Sequence, residues 1–327
     1  MLPAFLEWPM QSVDSLQRDS ITEFLHRHPH SLSGYTYASL ISWDPIFQYG
    51  LSFADSETLI ISCLLSPDGN RHLMQPLGSF LQIAQDSMVR AAGALPYPLK
   101  IVGVGHEFLG RHADFAARFA VVEDPAAANY IYRADDLARL PGRKYAKKRN
   151  LLSQAQGLYR WDPEPLAGGN AGACAEVLRS IQEQENPESD ANLEQELAAI
   201  DCTLSRWEDL GQQGILLRIG GRPAAFSIFE RISADTVAVH FERALRSYKG
   251  LYQVINWEAA KAIAAQGFAF INREEDLGSP GLRDAKRSYA PIKLMPAYEL
   301  RFKHGSEMPG KDPRPYPISS ADSPPFA

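Results

Sequence analysis

The spacing of apolar residues changes several times along the second half of the chain, and each spacing predicts one type of element. Apolar side chains recur at helical intervals in residues 171–185 and in 190–210, so two helices are expected there. Apolar runs bounded by turn residues predict strands further on. The predicted strands are 215–219, 223–231, 236–242, 268–271 and a final pair over 292–302, with a helix at 251–266 before the fourth.

The first half has shorter apolar runs, which predict a different arrangement. Residues 35–78 are interpreted as a β region with a turn at 66–70, where Pro, Asp and Gly occur together. The other predicted elements are helices at 20–27 and 79–92, a strand at 100–104, a helix or irregular segment at 112–122, and strands at 129–133 and 157–161.

Glycine-rich and proline-rich stretches suggest where the domains begin and end. A linker is predicted at 166–172, which contains three glycines. Two domains are therefore expected, at 1–165 and 171–303, as the length of 327 residues also suggests. The tail, 304–327, is rich in Pro and Ser, has few apolar side chains and is expected to be disordered.

Composition limits the possible functions. The chain is 45% hydrophobic, and its net charge of −6 excludes a global electrostatic attraction to nucleic acid or to an anionic membrane. Any such contact needs a local basic patch. The cysteines, Cys63, Cys174 and Cys202, match no disulfide or zinc pattern, so no metal site is predicted. With no signal peptide and no apolar run of membrane-spanning length, a cytoplasmic location is expected.

Residues 268–293 place charge of both signs directly after an apolar strand. The residues that follow the strand are Asn272, Arg273, Glu274, Glu275 and Asp276. Ser279 and Pro280 then have the pattern of a helix N-cap and a first helical position. The short helix expected after them carries Arg283, Lys286 and Arg287. This layout predicts a binding crevice at the end of a strand; the alternative is a charged surface loop.

A second candidate site lies at 141–152, where five cations are concentrated in an acidic chain. A basic helix of this kind suits phosphate of nucleic acid, of a lipid headgroup or of a nucleotide. The alternative is a solvated helix face. The candidate binding residues of this segment are Arg143, Lys144, Tyr145, Lys148, Arg149 and Asn150.

The order of elements in the second half matches that of GNAT acyltransferases. In that fold the central strand, here 236–242, separates from the next strand, and the gap admits an acyl donor whose phosphates bind the following loop. Gly250 fits the first glycine of the usual CoA-binding pattern, but Ser247 and Tyr252 depart from it. A bulky side chain there blocks close approach to a pyrophosphate. CoA is therefore weakly supported, and no cofactor is predicted.

Two long motifs carry a resemblance to one family. They are Tyr130-Ile-Tyr-Arg-x-x-Asp-Leu-x-x-Leu-x-Gly-Arg-Lys-Tyr-x-x-Lys-Arg-Asn and Ile271-Asn-Arg-Glu-x-Asp-Leu-Gly-x-x-Gly-Leu-Arg-x-Ala-Lys-x-Ser-Tyr-x-Pro. Over about residues 15–303 the chain resembles the phosphatidylglycerol lysyltransferase C-terminal domain family. The resemblance implies an α/β (α+β) tandem GNAT-like acyltransferase fold, with two mixed sheets flanked by helices, related to the Fem-type aminoacyltransferases.

The resemblance also implies a reaction. An aminoacyl-tRNA would donate its aminoacyl group to an amine or hydroxyl acceptor, either a small molecule or a phospholipid headgroup. The second repeat is expected to keep the full site, with the first helping to bind the acceptor. The lysyltransferases carry a multi-span membrane domain, and this sequence shows no such segment, so at most peripheral membrane contact is expected. An acyl-CoA-dependent N-acyltransferase and a non-catalytic metabolite-binding protein stay open as alternatives.

The charged loop supplies most of the predicted catalytic residues. Glu274 is the first candidate for the base that takes a proton from the acceptor, and Asp276 is the second. Glu275 is expected only to pair with Arg283. The complete predicted catalytic set is Asn272, Glu274, Asp276, Lys286 and Tyr289.

The oxyanion of the tetrahedral intermediate is expected to be held by Lys286, by Tyr289 or by backbone N–H groups near 241–243. His240 is either catalytic or a core histidine. Besides the basic segment, the predicted substrate-binding residues are Phe241, Glu242, Arg243, Tyr248, Lys249, Gly250, Arg273, Arg283 and Ser288.

Overall fold

A computed structural model describes residues 2–15, 18–65, 69–184 and 191–303. The predicted disordered tail lies outside the described residues. The elements up to residue 123 are β1 (Gln11–Ser12), α1 (Arg18–Arg27), α2 (Tyr37–Phe47), β2 (Gly50–Asp55), β3 (Thr58–Leu64), β4 (Arg71–Met74), β5 (Leu77–Gly78), α3 (Gln82–Gly93), β6 (Lys100–Val104), α4 (His106–Arg111), α5 (Ala113–Ala116) and β7 (Phe119–Glu123).

The remaining elements extend from residue 129 to residue 302. They are β8 (Asn129–Arg133), α6 (Ala134–Arg139), α7 (Ala146–Leu158), β9 (Asp162–Pro165), α8 (Gly168–Gln184), α9 (Ala191–Ser205), α10 (Trp207–Leu210), β10 (Gln213–Ile219), β11 (Arg222–Arg231), β12 (Thr236–Ala244), α11 (Leu251–Ala265), β13 (Phe270–Asn272), α12 (Pro280–Arg287), β14 (Lys293–Met295) and β15 (Tyr298–Phe302).

Two mixed sheets organise the molecule. The eight-stranded sheet has the order β1-β2-β3-β4-β6-β15-β7, with β5 paired to β3, and the seven-stranded sheet has the order β14-β8-β13-β12-β11-β10-β9. Each sheet contains one parallel pair, β4 with β6 and β12 with β13, among antiparallel neighbours. The predicted α/β fold with two mixed sheets flanked by helices is therefore confirmed.

Each sheet includes a strand from the other half of the sequence. Strand β8, from the predicted first domain, lies in the seven-stranded sheet between β13 and β14. Strand β15, near the end of the described chain, lies in the eight-stranded sheet between β6 and β7. The two strands expected over 292–302 are present as β14 and β15, but they do not pair with each other, since they belong to different sheets. The domain boundaries 1–165 and 171–303 stay a prediction, and each of these two segments contributes a strand to the sheet formed mainly by the other.

Several local predictions in the first half are corrected. Residues 37–47 form helix α2 inside the predicted β region, because Thr36 caps the helix by accepting from Ser39 N at 3.0 Å. Residues 119–123 form strand β7, where a helix or irregular segment was expected.

The predicted strand at 157–161 and the predicted linker at 166–172 are also wrong. Helix α7 runs to Leu158, and the strand that follows begins at Asp162. The glycines of the expected linker lie in the first turns of helix α8.

The helices cover the seven-stranded sheet on both faces. Helix α11 packs on β10, β11 and β12 and contacts α6 and α7. Helix α8 packs on β11 and β12, and its neighbour α9 packs against α2 of the first half. Ser42 and Thr203 share a buried hydrogen bond of 2.7 Å across that contact. None of the helices in the described part of the chain has both the length and the apolar stretch that crossing a bilayer requires.

Candidate active site

The seven-stranded sheet opens between its two parallel strands. The pairing of β12 with β13 ends at Ala238 and Asn272, whereas β12 continues to Ala244. A bulge in β12 accompanies the opening, since Phe229 faces Val239 and Ile228 faces Phe241, which leaves His240 as the extra residue. Bulges redirect side chains and end strand pairing. The predicted separation of the central strand is present, and charged side chains from several elements lie along the gap.

A buried histidine joins two glutamates beside this gap. Nδ1 of His240 lies 2.7 Å from a carboxylate oxygen of Glu274, and Nε2 lies 2.8 Å from a carboxylate oxygen of Glu230. Thr36 donates its hydroxyl to the same Glu230 oxygen. Burial opposes the charge, but the two carboxylates outweigh it and raise the pKa of His240 to about 10. His240 is therefore buried and part of the site at the same time.

An ion pair crosses the gap from the loop after β13 to strand β12. Arg273 donates to a Glu242 carboxylate oxygen at 2.9 Å. Its guanidinium also lies 5.2 Å from the centre of the Tyr289 ring. The ammonium group of Lys148 lies 3.9 Å from the same ring centre. The basic segment 141–152 thus reaches the site through Lys148, and burial, together with Arg273, lowers the pKa of Lys148 to about 8.

Lys286 and Glu275 place two further titratable groups beside Glu274. Lys286 is buried and donates to the Arg273 carbonyl oxygen, and burial followed by the charge of Arg273 lowers its pKa to about 8. Glu275 is half-buried and accepts from Asn129 Nδ2 at 3.3 Å. Burial and the charge of Glu274 raise the pKa of Glu275 to about 7. Both groups can exchange a proton close to neutral pH.

Asp276 is fully buried and holds the loop that carries these groups. Its carboxylate accepts from the Tyr130 hydroxyl at 2.7 Å, from Arg283 at 2.8 and 3.0 Å and from Gly278 N at 2.9 Å. Burial opposes its charge, but these donors hold the pKa of Asp276 at about 2. The expected pair of Glu275 with Arg283 is therefore wrong, because Arg283 pairs with Asp276.

Asn272 is also fully buried, and both ends of its amide are bonded. Its oxygen accepts from Glu274 N at 2.8 Å, and its nitrogen donates to the Asn129 side chain at 2.9 Å. The predicted cap is confirmed next to it, since Ser279 accepts from Leu282 N at 3.4 Å at the start of α12. Asn272 thus shapes the backbone at Glu274.

Most of the outer basic segment supports its own fold. The buried Tyr145 donates its hydroxyl to the Tyr289 carbonyl at 3.0 Å, and Arg149 donates to the Gly142 carbonyl at 2.7 Å. Lys144 pairs with Asp136 at 3.0 Å. Arg143, Lys147 and Asn150 of this segment are also exposed.

The loop after β12 is fixed mainly by contacts with helices. Gly250 has a φ of 81° at the N-terminus of α11, and a Cβ there would lie 3.0 Å from the Leu151 carbonyl oxygen. Packing against α7 therefore requires this glycine. Tyr159 donates to the Lys249 carbonyl at 2.9 Å and stacks edge-on with Tyr248 at 5.4 Å.

Three predicted binding residues have their own local partners. The guanidinium of Arg243 is paired with Glu196 of helix α9. The buried Phe241 ring lies 6.2 Å from the Trp43 ring of α2. Ser288 donates to the Ala285 carbonyl at 2.6 Å, at the end of α12.

Sequence reasoning missed Thr36, Glu196 and Glu230. Each comes from a different element, and only the folded chain brings them to the gap. Glu230 ends an otherwise apolar run in β11, and such a polar residue at a strand end is the one available signal. Thr36 had the signal of an N-cap, which was missed because helix α2 was not predicted.

Comparison with solved structures confirms a tandem GNAT arrangement. A conserved protein of unknown function from Bacteroides thetaiotaomicron VPI-5482 is 28% identical, with a TM-score of 0.81 over 90% of this chain and 100% of that one. L-PGS from Bacillus licheniformis is 14% identical, with a TM-score of 0.62 over 89% and 93% of the two chains. A tandem GNAT protein from the clavulanic acid biosynthesis pathway is 10% identical, with a TM-score of 0.51 over 91% and 99%.

No curated protein matches the sequence. The family described as "Phosphatidylglycerol lysyltransferase, C-terminal" matches residues 26–301, which include the seven-stranded sheet, the gap and most of the eight-stranded sheet. Both motifs noted in the sequence, around Tyr130 and around Ile271, fall within the match, and hydrogen bonds join them at Asp276 and Tyr289. The chain therefore belongs to the phosphatidylglycerol lysyltransferase C-terminal family.

Proposed function

We propose that the protein is an aminoacyltransferase that moves an aminoacyl group from aminoacyl-tRNA to an amine or hydroxyl acceptor. The observation that carries the proposal is the cluster of Glu274, Glu275 and Lys286 along the strand gap of a member of this family. In the reaction the acceptor attacks the ester carbonyl carbon. The ester bond to the terminal ribose then breaks, and the ribose oxygen takes a proton.

The acceptor must lose a proton as it attacks, and the two adjacent glutamates are suited to take it. Glu274 is hydrogen-bonded to His240 at 2.7 Å, and Glu275 has a pKa of about 7, close to the value that favours general base catalysis at neutral pH. We therefore propose Glu274 and Glu275 as the proton-accepting pair. Asn272 and Asp276 are proposed to hold the loop, because their polar atoms already bond within it.

The charge that develops on the carbonyl oxygen needs donors nearby. Lys286 is buried beside the glutamates, and the strand β12 continues past the end of its pairing with β13. Preorganised donors of this kind supply much of the stabilisation in acyl transfer. We propose that Lys286 or the backbone of 241–243 holds the oxyanion. Tyr289 instead supports Lys148 and Arg273 through its ring.

Phosphate groups of the donor or of a lipid headgroup need exposed cations. Arg143 and Lys147 are exposed on the segment that also delivers Lys148 to the site. We propose these three for phosphate binding. Arg149 and Lys144 are bonded locally and are proposed to support the segment's fold.

The two alternatives have weaker support. Acyl-CoA would have to place its pyrophosphate at the loop after β12, where Gly250 is already required by its contact with Leu151. A non-catalytic binding protein gives no reason for two groups that titrate near neutral pH in one buried cluster.

Transfer of label from a pool of radiolabelled aminoacyl-tRNA tests the proposed function. One arm contains phosphatidylglycerol vesicles and another a small diamine, so lipid and soluble acceptors are distinguished. We expect transfer in one arm, and a loss of about 100-fold or more in Glu275→Gln because a general base contributes that much.

The matched control is Glu164→Gln. Glu164 in the edge strand β9 forms an ion pair with Arg218 of β10 at 2.9 Å, three strands away from β12, and its loss should leave transfer unchanged. Two results contradict the proposal. One is acetyl-CoA raising the melting temperature while aminoacyl-tRNA has no effect. The other is a fully active Glu275→Gln, Glu274→Gln double variant.

A further inference from the structure

We propose that His240 is a positioning residue, which fixes the Glu274 carboxylate at the gap and is itself fixed by Glu230 and Thr36 from the other side. The proposal rests on the proposed function, in which Glu274 takes part in proton transfer. It adds a role for a strand residue and for a helix cap from the first half, neither of which touches the acceptor or the donor.

The hydrogen bonds around His240 leave one consistent assignment of donors. Thr36 accepts from Ser39 N at 3.0 Å, so its own hydroxyl hydrogen is available for Glu230. The same Glu230 oxygen faces Nε2 of His240, and a Glu274 oxygen faces Nδ1. Ionised carboxylates only accept hydrogen bonds. Both ring nitrogens of His240 therefore donate, which makes it an imidazolium between two carboxylates.

Glu274 needs such support because its backbone is held in a rarely used conformation. Its φ is 57°, in the left-handed region that glycine favours and that other residues rarely adopt. Asn272 fixes its N–H at 2.8 Å, and its carbonyl accepts from Tyr130 N at 3.1 Å. His240 then fixes the end of the side chain. The backbone and the carboxylate of Glu274 are thus held by different partners.

One carboxylate oxygen of Glu274 stays available for a proton. Oε1 bonds to His240, whereas Oε2 has no hydrogen-bond partner among residues of the described ranges. The side chain is 19% exposed, so this oxygen can meet a bound acceptor. A histidine that only filled the core would need no carboxylate on either nitrogen. His240 instead holds the Glu274 carboxylate in place.

Other charges face the pair from neighbouring elements. Glu230 comes from β11, Glu275 from the same loop as Glu274, Lys286 from α12 and Glu196 from α9. Three of these are acidic. Without the positive charge of His240, fewer cations would balance the negative charges of these neighbouring carboxylates. Like charges at short range favour protonation of one of them. The positive charge of His240 thus also compensates the negative charge of the carboxylates around it.

Nuclear magnetic resonance of protein with isotope-labelled histidine tests the contact without any activity assay. The signals of His240 are assigned by their loss in His240→Gln. We expect both ring nitrogens to be protonated at about pH 8, well above the ordinary histidine pKa. Glu230→Gln should lower the pH at which the imidazolium loses its proton. A neutral imidazole at about pH 8 in the unaltered protein overturns the proposal.

Transfer kinetics test the positioning role itself. We expect His240→Gln to lower kcat about 100-fold and to change KM less than about 3-fold, because a misplaced catalytic group costs about that much in rate. Glu230→Gln keeps an oxygen that accepts from Thr36 and His240, so it should retain more activity than Glu230→Leu. The matched control is His72→Gln, a buried histidine of the eight-stranded sheet, which should keep kcat.

The results separate the two levels of the proposal. A wild-type protein that transfers no label contradicts the proposed function. An active wild type whose folded His240→Gln and Glu230→Leu variants keep full kcat overturns only the positioning role. The positioning role is supported if kcat falls in His240→Gln and in Glu230→Leu and falls less in Glu230→Gln. Circular dichroism must show that these variants are folded.

Discussion

Neighbouring acidic residues in the loop after β13 have different environments, and this sets different roles. Asp276 is surrounded by donors and keeps a pKa of about 2, whereas Glu275 has few donors and a pKa of about 7. Composition alone predicts a row of equivalent carboxylates. The donors that distinguish Asp276, the side chains of Tyr130 and Arg283, reach it only in the folded chain.

Asp276→Asn should destabilise the protein in a pH-dependent way. The folded pKa of about 2 lies below the ordinary value, so the folded state binds fewer protons and gains stability above the unfolded pKa. We expect a loss of about 2 kcal/mol at neutral pH that shrinks as the pH falls from about 5 towards 2. Urea unfolding of both proteins across this range measures it.

The control for this comparison lies on the adjacent helix. Asp284 is exposed on α12, and Asp284→Asn should change stability little at any pH. A difference between wild type and Asp276→Asn that stays constant from neutral pH to about pH 2 would mean that the Arg283 pair does not stabilise the fold.

The rate of transfer should depend on the ionisation of Glu275. Its pKa is raised to about 7, and a base must be deprotonated to accept a proton, so kcat/KM should fall as the pH drops below about 7. The Glu275→Gln variant should be slow at every pH and should lose this dependence. A pH profile of both proteins with one aminoacyl-tRNA measures it. An unchanged profile in the variant contradicts the assignment.

At the scale of elements, the gap depends on helices that hold the ends of β12 and β13. Gly250 allows α11 to start against α7, with a φ of 81° and no space for a side chain beside Leu151. Gly250→Ala should cost about 1–3 kcal/mol through both effects. Thermal unfolding measures the change.

Gly172→Ala is the matched control for this substitution. Gly172 lies inside helix α8, and a Cβ there would meet no atom within 4 Å. Alanine in a helix interior should stabilise by up to about 1 kcal/mol. Equal effects of the two substitutions would show that the contact between α7 and α11 is looser than the structure indicates.

Local patterns were enough to predict the elements that line the gap, but not all of their neighbours. The strands β10, β11 and β12, helix α11 and the cap of α12 follow from apolar spacing and N-cap chemistry. Helix α2 was missed because its apolar residues are buried on several sides and show no helical stripe. Strand order and the partners of His240 depend on long-range contacts, which spacing along the sequence does not encode.

At the scale of the molecule, the two sheets cannot be separated by one cut in the chain. The seven-stranded sheet takes β8 and β9 from before residue 166, and the eight-stranded sheet takes β15 from after residue 297. Helix α6 packs on α11, and Trp257 donates to the Ala138 carbonyl at 2.6 Å. Residues 129–165 therefore support the candidate site, although they precede the predicted domain boundary.

This exchange predicts how fragments should behave. A fragment of residues 171–303 lacks β8, so β13 loses one of its two neighbouring strands and Asp276 loses Tyr130. We expect it to be unfolded by circular dichroism, whereas a fragment of 129–295, with all seven strands of that sheet, should be more ordered. The intact chain should unfold in one urea transition, because β15 and the contact of α2 with α9 link the halves. A folded 171–303 fragment would show that the exchanged strands add little, and the site would then be independent of the first half.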